Sequence, residues 1–127
     1  MLRYIADALR AWSEKILTRH STLPDGCSLS AKVWRLGPLV FCFVAAELFA
    51  ETAIELQNSF PDRCVTTTGY CSPLVGYLPT DEALGEGGYE VEYAYRFYGH
   101  PGPFAAGSEP ALVKTLSDAI RSVVAGN

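Results

Sequence analysis

The sequence predicts an α+β fold of the layered α/β type, in which amphipathic helices pack on a mixed sheet of about four strands. Two observations lead to this class. Apolar residues recur at helical spacing in three stretches, and β-branched or alternating stretches lie between them. The resulting order, α-β-β-α-β-(α)-β-α, is typical of layered domains. With 127 residues, a single domain over residues 1–127 is the simplest organisation.

The first predicted element is an amphipathic helix that runs to about Arg19. Its apolar residues are spaced three or four apart and form one stripe: Leu2, Ile5, Leu9, Trp12 and Ile16. The turn cluster "STLPDGC", with Pro24 and Asp25-Gly26, follows and ends the helix. We expect the stripe to pack on the sheet.

Two strands follow as a hairpin. The segment "LSAKVWRLG" alternates, with Leu29, Ala31 and Val33 on one face. Gly37-Pro38 provides the turn, and "LVFCFVAA" continues as a strand that is apolar on both faces. Such a strand is expected in the centre of the sheet and covered on both sides.

The next two elements are a helix and a third strand. From Glu47 the sequence "ELFAETAIELQNSF" is rich in helix formers, and Pro61 ends the helix. The following "RCVTTTGY" is β-branched and predicts a short strand.

The last part of the chain predicts a short helix, a fourth strand and a long helix. In "PTDEALG", Thr80 is placed to cap a short helix that ends before Gly85. The segment "YEVEYAYRFYG" alternates strictly and predicts a strand in which Tyr93, Tyr95 and Phe97 make packing contacts. The final helix is expected to begin with Ser108 as its N-cap, and its stripe consists of Leu112, Leu116, Ile120 and Val123.

Composition excludes several functional classes. The net charge is −4 and no Lys/Arg cluster is present, so nucleic acid is not an expected partner. The longest apolar run, residues 39–46, is far shorter than the ~20 residues of a transmembrane helix. Charged residues interrupt the N-terminal "MLRYIADALRAWSEK", which therefore does not resemble a signal peptide, and a cytoplasmic location is expected. The four cysteines form no C-x-x-C pair, and Cys42 is expected to be a small buried hydrophobe.

One carboxylate stands out as a candidate site residue. Glu47 directly follows the buried strand, and ligand sites of layered α/β structures collect at the carboxyl ends of strands. Glu51 and Glu55 follow at helical spacing and are expected to be solvated. His20 is expected to cap the first helix, and His100 lies in a loop without a second ligand at metal-binding spacing.

Three segments carry a resemblance to a known family. They are "WRLGPLVFCFVAAELFAETA", "SPLVGYLPT" and "GGYE", which fall within residues 30–105. They resemble the neutral/alkaline non-lysosomal ceramidase family, whose members are zinc-dependent hydrolases of N-acyl sphingosines. The resemblance implies that Glu47 and Tyr77 are zinc ligands and leaves Tyr70 and Tyr89 as packing residues. Zinc would activate a water molecule for attack on an amide carbonyl.

The resemblance also implies that the chain is similar to the C-terminal portion of a larger hydrolase domain. The family's histidine ligands and catalytic serine precede the matched region, so we expect a chain that is inactive alone. A complementing chain or homo-oligomerisation would complete the site.

Two other functions stay open at this stage. The chain could be a non-enzymatic α+β module for protein interaction or homo-oligomerisation that uses an exposed strand edge or apolar patch. It could also be a small enzyme without a metal, in which Glu47 acts as a general base beside Tyr77.

Overall fold

The computed structural model describes residues 2–19, 22–23 and 26–126. Helix α1 spans Leu2–Arg19, as its apolar spacing predicts. The predicted turn at Pro24 and Asp25 lies outside the described residues.

A three-stranded mixed sheet confirms the predicted α+β class. Its strands are β1, Ala31–Leu36, β2, Leu39–Val44, and β4, Cys64–Thr68, in the order β1-β2-β4. Strands β1 and β2 form the predicted antiparallel hairpin, and Gly37 in its turn has a φ of 59°. Strand β4 is parallel to β2, so β2 lies in the centre.

The two faces of this sheet differ in burial. Val40, Cys42 and Val44 of β2 point into the core and are fully buried, and burial raises the pKa of the Cys42 thiol to about 11. The opposite face, which we call the outer face, carries Trp34, Leu36, Leu39, Phe41 and Phe43. Trp34 is 62% exposed there. The prediction that β2 is covered on both sides is therefore wrong for the described residues.

Two helices cover the inner face. Helix α2 spans Ala50–Ser59 and packs on β4, and helix α5, Ser108–Ala125, packs on β1 and α2. The core they form with the sheet includes Leu56, Leu116 and Ile120. Helix α2 begins later than predicted because Glu47–Leu48 is extended as strand β3, which pairs in parallel with β5, Tyr77–Leu78.

Of the two capping predictions for the last helices, the one for Thr80 is confirmed and the one for Ser108 is wrong. Helix α3 spans Asp81–Glu86, and the Thr80 hydroxyl accepts a hydrogen bond from the Ala83 N–H at 3.1 Å, as predicted. The helix continues through Gly85, where it was predicted to stop, and ends at Glu86 with Gly87 as its C-cap. Ser108 is the first residue of α5 rather than its N-cap, because the left-handed Gly107 (φ 84°) occupies that position.

The predicted fourth strand is wrong. Residues Tyr89–Glu92 form a short helix, α4, and Ala94–Arg96 form a 3₁₀ turn. The buried residues of this region are Val91 and Ala94, which are three apart as in a helix. Its tyrosines stay partly exposed, because the hydroxyl lets a tyrosine ring lie at the surface. The alternation of aromatic rings was therefore not an alternation of buried and exposed positions.

Helix α1 is attached to the segment that follows the 3₁₀ turn. The Trp12 Nε1 donates a hydrogen bond to the His100 carbonyl at 2.7 Å, and Lys15 Nζ donates to the Gly99 carbonyl at 2.8 Å. The Arg96 guanidinium lies over the Trp12 ring at 5.4 Å. None of the helices in the described ranges is both long enough and apolar enough to span a membrane.

Candidate functional site

The structure brings Glu47 and Tyr77 together. They occupy paired positions of the parallel strands β3 and β5. Strand β3 follows β2 after the buried residues Ala45 and Ala46, so Glu47 lies just beyond the carboxyl end of the central strand. This is where layered α/β structures place ligands.

Backbone hydrogen bonds hold the two segments in register. The Val75 N–H donates to the Ala45 carbonyl at 2.9 Å, and the Tyr70 N–H donates to the Ala46 carbonyl at 2.9 Å. In the opposite direction, the Glu47 N–H donates to the Gly76 carbonyl at 2.8 Å. Backbone hydrogen bonds to residues 69–77 thus hold residues 45–47 in place. The 69–77 segment also carries two of the tyrosines described next.

One tyrosine hydroxyl donates to the Glu47 carboxylate, and two more lie beside it. Tyr98 donates to Oε1, and the hydroxyls of Tyr70 and Tyr77 are close enough to affect the pKa of Glu47. The glutamate is 5% exposed. We call Glu47, Tyr70, Tyr77 and Tyr98 the Glu47 cluster.

The tyrosine hydroxyls decide the charge of this cluster. Burial alone would raise the pKa of Glu47, but the hydroxyls of Tyr70, Tyr98 and Tyr77 together outweigh burial and hold the pKa below its ordinary value. The same carboxylate raises the pKa of Tyr77, whereas burial and the carboxylate together raise the pKa of Tyr98 to about 12. At neutral pH the cluster is therefore one buried anion surrounded by neutral hydroxyl donors.

Tyr70 reaches Glu47 through an unusual backbone conformation. Its φ is 59°, in the left-handed region that bulky residues rarely adopt, and its side chain is 70% exposed. The preceding Gly69 lies so close to the Ala46 carbonyl oxygen that a Cβ there would be 2.7 Å from it. The prediction that Tyr70 is a packing residue is wrong. Tyr89 does pack, with its ring edge-on to Tyr77 at 6.2 Å.

Tyr98 comes from the segment that was predicted as a strand. Its ring lies against Gly76, where a Cβ would be 3.0 Å from the ring carbons. Nearby, the Nε2 of His100 is 2.6 Å from the Val75 carbonyl oxygen. The 98–100 segment is thus attached to the segment that carries Tyr77.

Sequence reasoning missed Tyr70 and Tyr98, although one signal was present. Each tyrosine of the Glu47 cluster has a glycine as its chain neighbour: Gly69, Gly76 and Gly99. Glycine permits close approach of backbone and rings. Tyr89 also follows a glycine, Gly88, but packs beside the cluster, so a glycine neighbour is consistent with membership and does not decide it.

The Glu47 cluster contains a single carboxylate and no nitrogen ligand. In the part of the chain that the structure describes, no group of three or more His, Cys, Asp or Glu side chains could hold a metal ion. His20 lies outside that part, and the His100 ring is engaged with Val75. Glu51 and Glu55 are exposed on α2, as predicted.

A second buried carboxylate, Glu109, has the opposite electrostatics. It is 4% exposed near the start of α5, and its Oε1 has no hydrogen-bond partner among the described residues. Burial raises the pKa of Glu109, and the nearby Glu55 and Asp81 charges add to the increase. The helix dipole, which favours an anion at this position, does not reverse the direction.

Replacing Glu109 by glutamine is expected to stabilise the protein by about 1 kcal/mol at neutral pH, since the amide avoids a buried, incompletely bonded charge. Because folding raises the pKa of Glu109, the protonated carboxyl contributes fully to stability below the ordinary pKa of 4.5. This contribution is lost as the pH rises through the raised pKa of the folded protein. Urea denaturation at pH 7 and pH 4 should show the gain at pH 7 only. Glu14→Gln, at an exposed position of α1 that does not affect Glu109, is the control, and an equal gain at both pH values would contradict this origin.

No protein-family model, curated protein or solved structure matches this chain.

Proposed function

We propose that the Glu47 cluster is the carboxylate-and-phenol part of a zinc-dependent amide hydrolase site, of the type that the ceramidase resemblance implies. One observation carries the proposal. Glu47 and Tyr77, which the resemblance implies as ligands, are paired on adjacent parallel strands, and the Tyr77 hydroxyl is among those that lower the pKa of the Glu47 carboxyl. They are 30 positions apart in the sequence, and no local pattern requires them to meet.

The residues present fit zinc as part of a ligand set. Zinc takes three or four ligands and accepts carboxylate oxygen together with histidine nitrogen or thiolate. Glu47 offers an anionic oxygen and Tyr77 a neighbouring hydroxyl, but no nitrogen or thiolate ligand joins them among the described residues. The proposal therefore includes a complementing chain, or a second copy, that supplies the nitrogen ligands.

The charge state favours a ligand role over the metal-free alternative. A general base works best when its pKa lies near the operating pH. The tyrosine hydroxyls of the cluster lower the pKa of Glu47, which moves it further from neutral pH, and they stabilise its anion. A buried, stable carboxylate is suited to binding a cation and is a weak base for water.

The chain's own residues have distinct tasks in such a site. Bound zinc would supply Lewis-acid activation of water and of the amide carbonyl. Glu47 provides the fixed negative charge, and the backbone bonds to Gly76 and Ala46 hold its position. Tyr77, at the paired position of the neighbouring strand, would supply the second oxygen ligand.

Zinc titration in the presence of imidazole tests the proposal. Imidazole replaces the missing histidine side chains, so we expect one zinc ion per chain to bind more tightly with imidazole than without it. Glu47→Gln should weaken the binding at least tenfold at the same imidazole concentration, in line with the loss of a direct ligand. The measurement is isothermal titration calorimetry on metal-free protein without a histidine tag. An N-acyl sphingosine amide should not be hydrolysed by the isolated chain.

Two controls isolate the site. Glu55→Gln removes an exposed carboxylate and should leave zinc affinity unchanged. The thiols of Cys27 and Cys64 are exposed, and zinc bound there would be equal in the wild type and in Glu47→Gln. Equal affinity of these two proteins in imidazole would overturn the zinc site. Stoichiometric zinc with amide hydrolysis by the chain alone would overturn the requirement for a complementing chain.

The outer face of the sheet supports a second candidate function, a non-enzymatic interaction or homo-oligomerisation module. Trp34 and Leu36 are exposed beside the partly covered Phe41 and Phe43, and contiguous exposed apolar surface is typical of protein interfaces. A protein that binds no zinc in imidazole and self-associates in sedimentation experiments would favour this function over the first.

A further inference from the structure

We propose that Tyr98 is a positioning residue for Glu47, which holds the carboxylate in place while Tyr77 and Glu47 act as ligands. The inference rests on the proposed function, and it concerns a residue outside the sequence motifs that indicate the site.

The first support is the contact itself. Tyr98 donates its hydroxyl to Glu47 Oε1 from a position 51 residues along the chain. Its ring lies on the face of Gly76, and the carbonyl of the same glycine accepts the backbone N–H of Glu47 at 2.8 Å. Tyr98 therefore contacts both the side chain of Glu47 and the residue that fixes its backbone.

The second support is that the backbone next to Tyr98 is attached to two other parts of the fold. The following residues, Gly99 and His100, accept hydrogen bonds from Lys15 and Trp12 of α1. The His100 ring also lies 2.6 Å from the Val75 carbonyl oxygen. A side chain whose backbone is attached to a helix and to the segment before Tyr77 keeps its hydroxyl in one place.

The tyrosines of the cluster consequently have different roles. Tyr70 is mostly exposed and its side chain can turn away into solvent, whereas the ring of Tyr98 is confined between Gly76 and Glu47. When Tyr77 and Glu47 engage a cation, Tyr98 is the donor that can stay on the carboxylate. Hydrogen-bond partners of ligating carboxylates have this function in metal sites.

Replacing Tyr98 by phenylalanine tests the role, because it removes only the hydroxyl. We expect zinc affinity in imidazole to fall 10- to 100-fold, the usual effect of losing such a partner. Tyr93→Phe is the matched control, since Tyr93 is partly exposed in the same region and makes no hydrogen bond with Glu47. It should bind zinc like the wild type.

A double-mutant cycle separates this inference from the proposed function. The urea midpoints of Tyr98→Phe, Glu47→Gln and the double variant should be non-additive, with a smaller effect of Tyr98→Phe when Glu47 is already glutamine. Additive midpoints, or unchanged zinc affinity in Tyr98→Phe, would overturn the positioning role. If the midpoints are non-additive but the wild type binds no zinc, the zinc site fails and the positioning of Glu47 by Tyr98 stands.

Discussion

Replacing Leu116 by alanine is expected to lower the free energy of unfolding by about 2–5 kcal/mol, the range found when a leucine is removed from a well-packed core. Leu116 is 1% exposed on the face of α5 that covers the sheet, and it belongs to the same cluster as Val40 and Leu56. The substitution leaves a cavity between α5, α2 and the strands, because a tightly packed interior relaxes only in part. Urea denaturation with linear extrapolation measures the loss.

Leu17→Ala is the matched control. Leu17 is 82% exposed on α1, and the same chemical change at an exposed site usually alters stability by less than about 0.5 kcal/mol. Similar losses for the two variants would contradict the assignment of α5 to the core. A loss confined to Leu116→Ala would show that α5 holds the sheet whose central strand leads to Glu47.

Helix α5 also illustrates what sequence patterns determine well. Leu112, Leu116 and Ile120 are spaced four apart, and each is buried. An apolar stripe at helical spacing has to be buried against another layer of the fold. The spacing alone therefore predicts both that the segment is a helix and which of its faces lies in the core. The hairpin of β1 and β2 was equally predictable, since Gly37-Pro38 separates an alternating strand from an apolar one.

Tyrosine-rich segments are harder to predict for a physical reason. In "YEVEYAYRFYG" the aromatic residues alternate, but a tyrosine has an apolar ring and a polar tip and tolerates either environment. The small residues Val91 and Ala94 are the ones buried, and Gly88, with a φ of 103°, begins a helical turn rather than a strand. The alternation of aromatic residues in this segment therefore did not determine its local structure, because tyrosine tolerates both buried and exposed positions.

The candidate site was predictable in part for a related reason. Glu47 was indicated by its position after a buried strand, and Tyr77 by its sequence motif. Tyr70 and Tyr98 were not, because one depends on a left-handed backbone conformation and the other on a contact between distant segments. Side chains that complete a site from irregular segments leave little periodic signal in the sequence.

The geometry of the Glu47 cluster depends on backbone proximity at Gly69. This residue lies against the Ala46 carbonyl, which also accepts the Tyr70 N–H at 2.9 Å. Ala46 precedes Glu47, and Gly69 precedes Tyr70. The two partners in the carboxylate–hydroxyl contact are therefore positioned by the residues just before them.

Replacing Gly69 by alanine is expected to destabilise the protein by about 1–3 kcal/mol, the usual cost of forcing extra atoms into a packed site. The new Cβ would lie 2.7 Å from the Ala46 carbonyl oxygen. Because backbone rather than a flexible side chain is in the way, the 69–77 segment must move away from β3. We expect zinc affinity in imidazole to fall together with stability, since Glu47, Tyr70 and Tyr77 would lose their register.

Gly85→Ala separates this steric effect from a general intolerance of glycine substitution. Gly85 lies inside α3, and an added Cβ would meet no atom within 4 Å. Alanine is favoured over glycine in a helix by about 0.5–1 kcal/mol, so this variant should be slightly more stable and should bind zinc like the wild type. The same substitution is thus expected to have opposite signs at two positions 16 residues apart. A Gly69→Ala protein with wild-type stability and zinc affinity would show that the Glu47 cluster does not depend on the close approach of residues 69–70 to Ala46.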